Sequence, residues 1–596
     1  SGVNVDGGTV RIASGGSLSI GSGASNNLRV GLNTSTTGSS GTTTGTLDAS
    51  AAASLTVNVA NVQVGVAGSG RPGVGTLLLP SSSTITATSS FVVGTSGNAF
   101  NAGTSSVTTA AGAGTTTLRT PSMTVGGNKS VGALTLGAGS TWDVAGIGGG
   151  RAALTIGSTS AGGGSGAWSG NLDASAGTFI ASLSSLTIGN RSVTSSTANV
   201  AATLTLGNST SNHLDILGAS TATTGVVNIG RSFGGTTGGS ATGILTIGNL
   251  DSSSQIVDTN NGTAILLGTA AGGIPASGTL NLNGGTLTIA TSGLAITGGG
   301  STSVVNFNGG TLKAGASSAN WISNLSTANI AGGARFHTNG FNINIPQPLS
   351  GTGGLTKLGT GILTLSGASG YTGPTSVDAG ELNLTGSVAS NITVNNGAVL
   401  NGEGSTSASL NFSGASKLFF DPSTGGSFNA NTVNGAGGTV EVLASNGTNG
   451  TGILVLNAPG GITGVPNTNF VFNTRGSIYL GGGGTQLLVD KLPGALLTWK
   501  GNQPNPTFWD IRTTSNWDNG GSPDQFYNAD DVLLDDTATS FTVAVQPTSL
   551  APNSVTFNNS SNAYTVQGGA IAGAASVTKN GSNVVIIAND NTYTGG

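Results

Sequence analysis

The chain has 596 residues, of which 105 are Gly, 6% are charged and 5% are aromatic, with a formal net charge of −4 and no Cys. That balance excludes a disulfide framework or thiolate metal site and a basic footprint for nucleic acid, and no apolar run is long enough to predict a membrane-spanning helix. Low charge argues against ordinary disorder and low aromatic content against several compact cores, leaving one long array with a thin, continuous core of small apolar side chains.

From the N-terminus, short strands ending in an apolar residue plus Gly recur through the first half. They end at Ile20-Gly21, Val30-Gly31, Val64-Gly65, Val93-Gly94, Val125-Gly126, Leu136-Gly137, Ile156-Gly157, Ile188-Gly189, Leu206-Gly207, Ile229-Gly230, Ile247-Gly248 and Leu267-Gly268. Three stretches show a longer unit: "GTLDASAAASLTVNVANVQVG" (45–65), "GTLLLPSSSTITATSSFVVG" (75–94) and "GNLDASAGTFIASLSSLTIG" (170–189). Each holds three period-2 runs separated by small polar residues, which predicts a strand–turn–strand–turn–strand coil. Alternation puts Leu, Ile, Val and Ala inside and leaves Ser, Thr and Asn facing water. One such coil leaves its backbone edges unpaired. Coils of about 24 residues are therefore expected to stack, giving an all-β, right-handed parallel β-helix, since parallel crossovers strongly prefer that hand.

Charged residues are sparse along this array. Asp48 and Asp173 recur in "LDAS" and read as turn residues, while Asp143, Asp215 and Glu403 stand alone. His213 and His337 are far apart, and Arg29, Arg71, Arg151, Arg191 and Arg231 follow or flank strand ends as solvated single residues. No carboxylate pair recurs at coil spacing, as a polysaccharide-cleaving site on a β-helix would require. The expectation is a protein that is not an enzyme, with no catalytic residue and no cofactor.

Residues 351–384 read "GTGGLTKLGTGILTLSGASGYTGPTSVDAGELNL". The spacing of Gly353, Gly354, Leu355, Thr356, Lys357, Gly359, Gly361, Leu363, Leu365, Gly367, Tyr371, Thr372, Gly373, Val377, Gly380 and Leu382 resembles the autotransporter-associated β-strand repeat, also called the passenger-associated transport repeat. The resemblance implies export across a bacterial envelope, a β-helical passenger and an extracellular or cell-surface location. It concerns passenger transport and folding, not a catalytic step. No alternating strands with aromatic girdles, as in a translocator barrel, are read in this chain.

Residues 493–536 break the pattern, with Trp499, Trp509 and Trp517 close to Asp510, Asp518, Asp524, Asp530, Asp531, Asp535 and Asp536. The structural reading is a cap or small subdomain whose Trp residues seal a core end. A calcium site built from Asp524, Asp530, Asp531, Asp535 and Asp536 is the first alternative, although no known calcium-loop spacing is present. A glycan groove lined by Trp and Asp is the second.

A further copy of the repeat begins at "GAASVTKNGSNVVIIANDNTYTGG" (573–596), with Val577 and Tyr593 spaced as Leu355 and Tyr371 are. Its missing half is paralleled by "SGVNVDGGTVRI" (1–12). Ser1, Val5, Gly8 and Val10 would thus meet Tyr593, Thr594, Gly595 and Gly596 across a joint between successive segments. The predicted organisation is irregular β-helix over 1–350, passenger-type coils over 351–404, further coils over 405–492, the Trp/Asp section over 493–546 and coils ending in a half repeat over 547–596. The function expected is a structural extracellular β-solenoid that stacks on itself head to tail, or as a tandem chain, into a surface filament. The alternative is an adhesin passenger that binds glycan or a host surface.

Overall fold

The computed structural model describes residues 3–21, 25–33, 41–67, 72–96, 103–160, 166–193, 197–221, 224–233, 238–270, 274–445 and 448–595; Ser1, Arg71 and Gly596 lie outside them. The regular elements are β-strands apart from one 3-10 turn at Ile147–Gly149. No helix among the described residues is long and apolar enough to cross a membrane. The chain forms two compact units, one of residues 1–376 with 386–390 and the other of 377–385 with 391–596.

The first unit is a parallel β-solenoid built on the recurrent apolar-Gly pair. Val30, Val64, Val93, Val125, Ile156, Ile188, Ile229 and Leu267 are successive register partners, one above the next. All eight are fully buried. The glycine after each, from Gly31 to Gly268, has φ between 60° and 75°, the left-handed conformation that L side chains resist. These glycines bend the strand at one corner of each of these coils, and the strand runs on for one to three residues beyond them instead of ending there as the sequence suggests. The other pairs mark different corners: Leu206 stacks on Ile247 and then Leu282, and Ile20 on Val57.

The coils are longer than the expected 24 residues. Along the Val30 to Leu267 column each takes about 30–40 residues, within the usual range for solenoids. The excess lies in connecting loops and in strands that run round a corner, such as Ser54–Ala67 (14 residues) and Thr178–Ser192 (15 residues). Beyond the column the coils shorten, and the Leu349 N–H bonds the Ser369 hydroxyl 20 residues on. Amide ladders tie the outer wall, with Asn329 donating to Asn306, Asn306 to Asn281 and Asn281 to Thr246. Asp48 and Asp173 each accept from the backbone N–H two residues on, at Ser50 and Ser175, as turn residues do.

In the second unit, Glu381–Leu384, Val399–Asn401, Gly414–Phe420, Gly438–Ala444 and Phe470–Phe472 form a parallel ladder. An antiparallel set follows, in which Gln486–Lys491 pairs with both Gly450–Asn457 and Gly476–Gly481. Parallel stacking then restarts with Leu496–Trp499, Asp531–Asp535, Ser554–Asn558 and Ser576–Lys579 on one wall. Phe508–Trp509, Thr542–Leu550, Tyr564–Ile571 and Val585–Ile587 stack on another.

Candidate functional site

The Trp/Asp segment opens this restarted solenoid. Strand Leu496–Trp499 takes its place on the wall, and the chain leaves through Trp509 and a hairpin, Trp517–Asn519 with Ser522–Asp524, before rejoining at Asp531. Trp499, Trp509, Trp517 and Phe526 pack edge to face, with ring centroids 5.0 Å apart for Trp499–Trp517, 5.2 Å for Trp509–Trp517 and 5.4 Å for Trp509–Phe526. All four belong to one apolar cluster with Leu497, Val532, Val555, Phe557 and Tyr564. They are packed into the core of this section. Because Trp499, Trp509 and Trp517 are buried, none offers a ring face to a sugar, and the Trp-lined glycan groove is corrected on that ground.

The five Asp residues named for calcium are not drawn together; among the described residues no group of three or more acidic or His side chains is set to hold a metal. Asp530 is fully buried. Its Oδ1 accepts from Arg475 Nε (2.5 Å) and the Ala495 N–H (2.8 Å), and its Oδ2 from Arg475 Nη2 (3.0 Å) and the Tyr527 N–H (2.8 Å). Burial pushes the Asp530 carboxyl up, whereas at Arg475 the two neighbouring carboxylates outweigh burial and raise the guanidinium. These directions disagree about the proton, and the geometry decides: both carboxyl oxygens accept from N–H groups, so the pair is ionic. Arg475 Nη2 also meets Asp524 Oδ2 at 3.0 Å and donates to the Gln525 carbonyl at 3.2 Å. Asp531 accepts from Asn553 and Ser554, Asp535 from Thr537, and Asp536 from three successive N–H groups, those of Ser560, Ser561 and Asn562.

The 351–384 segment forms short, tightly wound coils around a buried cation. Lys357 occupies an inward strand position and is fully buried, with Nζ donating to Thr338 Oγ1 (2.9 Å), Gly359 O (2.7 Å) and Leu358 O (3.2 Å). Tyr371 is buried too, its hydroxyl 2.6 Å from Thr375 Oγ1, which lies 2.6 Å from Ser390 Oγ; burial pushes the phenol up. The matching lysine of the C-terminal copy, Lys579, is exposed and donates to the carbonyl of Gly581. One residue type is thus buried in one copy of the repeat and exposed in the other.

Most residues named for self-association already have partners within the chain. Val5 is buried and pairs with Val30, Gly8 with Gly45 and Val10 with Leu47. Tyr593 packs partly against the Trp cluster, Thr594 donates its N–H to Gly573 O, and Gly595 lies against Ala574 and Ala575. Asp251 (3.1 Å) and Ser253 (3.3 Å) both address Nδ1 of His213, whereas a Ser–His–Asp relay uses the two ring nitrogens separately.

The sequence profile of the passenger-associated transport repeat matches residues 355–384 and 577–596, the two segments that carry Lys357 and Lys579. A 60-residue stretch is 50% identical to the "Extracellular serine protease" of Serratia marcescens, covering 10% of this chain and 6% of that protein. The chain thus spans only a small part of the length of that relative. It carries a repeat of exported passengers, and its location is extracellular or on the cell surface.

Proposed function

We propose, for a chain that carries the passenger-associated transport repeat twice, that it is a structural β-solenoid passenger whose outermost coils are completed by another such coil. Stacking continues head to tail, through neighbouring copies or along a tandem polypeptide, into an extracellular filament. The observation that supports this most directly is the coil that carries Ser576–Lys579 on one wall and Val585–Ile587 on the other. Each strand is paired on one side, with Ser554–Asn558 and Tyr564–Ile571. Val584, Ile586 and Ile587 remain 58%, 52% and 42% exposed, although Val566, which pairs with Ile587, is fully buried. Strand edges of this kind recruit further strands, and a heterologous contact that does not close propagates as a filament.

Negative-stain microscopy of the purified chain tests the proposal, and denaturing mass spectrometry separates its two forms. Unbranched filaments that dissociate to 57.3 kDa subunits are expected for stacked copies, and a far larger covalent species from the native source for a tandem chain. Monodisperse short particles at high concentration, together with a native species of subunit mass, would count against both.

A further inference from the structure

Outward positions on these strands are mostly Ser, Thr and Asn, and large apolar side chains point into the core. Strand Gly414–Phe420 departs from that rule. Ser416, Leu418 and Phe420 are buried, so alternation turns Phe419 outward. Phe419 lines a cleft of about 310 Å³ together with Asn401, Glu403, Asp421, Gly426 and Ser427, a volume at the lower end of small-ligand sites.

Two carboxylates and no cationic side chain line this cleft. Asp421 is fixed through Oδ1, which accepts from the Ser423 N–H (2.9 Å), Ser423 Oγ (2.7 Å) and Ser445 Oγ (2.8 Å). Its Oδ2 has no donor among the described residues. Glu403 has no hydrogen-bond or ion-pair partner among the described residues, although its carboxyl group is tucked against Gly426. A Cβ on Gly426 would lie 2.0 Å from Glu403 Cδ and 2.1 Å from Oε2. Asn401 is held by Glu381 and by the Gly402 N–H.

An outward aromatic ring beside free carboxylate oxygens suits a ligand with an apolar ring face and hydrogen-bond donors on its rim. We propose that this cleft binds a pyranose ring of a non-acidic glycan. The C–H face of the sugar lies on the negative face of the Phe419 ring, and hydroxyl or amino groups donate to Glu403 and Asp421 Oδ2 in charge-assisted bonds. Uronic and sulfated sugars are excluded by the sign of the cleft. This binding is independent of coil stacking, so either proposal can fail alone.

The test is a glycan array and calorimetry on the full chain with neutral, amino-bearing and acidic oligosaccharides. Binding of neutral or amino sugars is expected, the two arms telling a hydroxyl-led contact from an amine-led one. Phe419→Ser should lower affinity on the order of tenfold, as truncation of an anchoring aromatic does. Gly426→Ala should do the same by displacing the flexible end of Glu403, with the melting temperature of the chain unchanged. Failure to bind either class, preference for acidic sugars, or wild-type affinity in both variants would overturn the proposal.

Discussion

Arg475 holds Asp530 by two parallel hydrogen bonds, Nε to Oδ1 and Nη2 to Oδ2, joining the antiparallel end of one coil section to the Trp-sealed start of the next. Removing one partner strands a buried charge. Arg475→Met should cost roughly 3–5 kcal/mol, read as loss of the buried-Trp fluorescence signal at lower denaturant. In the double variant with Asp530→Asn, the loss should be smaller than the sum of the two single losses. Strict additivity would show that the pair does not act as a unit.

Metal removal should leave the same transition in place. Asp531, Asp535 and Asp536 accept from side-chain and backbone donors of the chain itself, so their carboxylates do not repel one another across an empty centre. Excess chelator is expected to leave the thermal midpoint of the Trp signal unmoved, and added calcium to leave it unmoved as well. A calcium-dependent rise would restore the cation reading for these residues.

The two repeat lysines give a matched pair. Lys357→Met takes the buried ammonium from Thr338 Oγ1 and the Gly359 carbonyl, while the Leu358 carbonyl keeps the Thr338 N–H at 3.0 Å, a loss of about 1–3 kcal/mol for the groups left under-satisfied. Lys579→Met removes an exposed side chain and should fall within about 0.5 kcal/mol. Hydrogen exchange across 355–384 and 577–595 in the two variants measures the difference. If filaments form as proposed, Lys579→Met should also lower filament yield, because a coil stacked above it would bury that position.

Local regularities made much of the fold legible. Period-2 alternation and a glycine needed at positive φ are properties of a few neighbouring residues, so the apolar-Gly pairs from Val30 to Leu267 could be read from the chain, whereas which of them stack in one column could not. Coil length could not, since it depends on how far strands such as Ser54–Ala67 run round a corner. Arg191 shows the same limit. Its position suggested a solvated side chain, yet it is fully buried, with its guanidinium donating to the carbonyls of Ala198 (3.0 Å), Gly238 (3.3 Å) and Val193 (3.4 Å). Composition brought Trp and Asp together in 493–536, but only the backbone path determines that the Trp rings converge and that Asp524 and Asp530 meet on Arg475 while Asp531, Asp535 and Asp536 take separate donors. Phe419 carried a signal in the sequence, an outward-phase aromatic in "SKLFFD", that alternation applied strictly would have found.

His337 should make the first unit sensitive to mild acid. Burial lowers its pKa below the ordinary 6.5, and the charges of Lys313 and Lys357 lower it further. The folded chain therefore binds this proton less readily than the unfolded chain. Its contribution is fully present above 6.5 and declines as pH falls through that value toward the depressed folded one. The thermal midpoint should drop on acidification across this window, and His337→Gln should flatten the profile there without changing it at pH 8. An unchanged profile would mean that His337 titrates alike in both states.

The corner glycines offer the most direct test of the solenoid itself. Gly230 has φ 68°, and a Cβ there would lie 1.9 Å from the carbonyl oxygen of Ser277 on the next coil. Backbone strain and contact act together. The left-handed conformation costs an L residue roughly 1–2 kcal/mol, and the contact is with backbone, which cannot rotate away. Gly230→Ala should lose at least about 2 kcal/mol in denaturant unfolding, the strain alone accounting for most of that. Gly238, where a Cβ meets nothing within 4 Å, is the control, and Gly238→Ala should change stability by less than about 0.5 kcal/mol. Equal behaviour of the two would mean that the chain does not turn at Gly230 as described, and the column through Ile188, Ile229 and Leu267 would lose its corner.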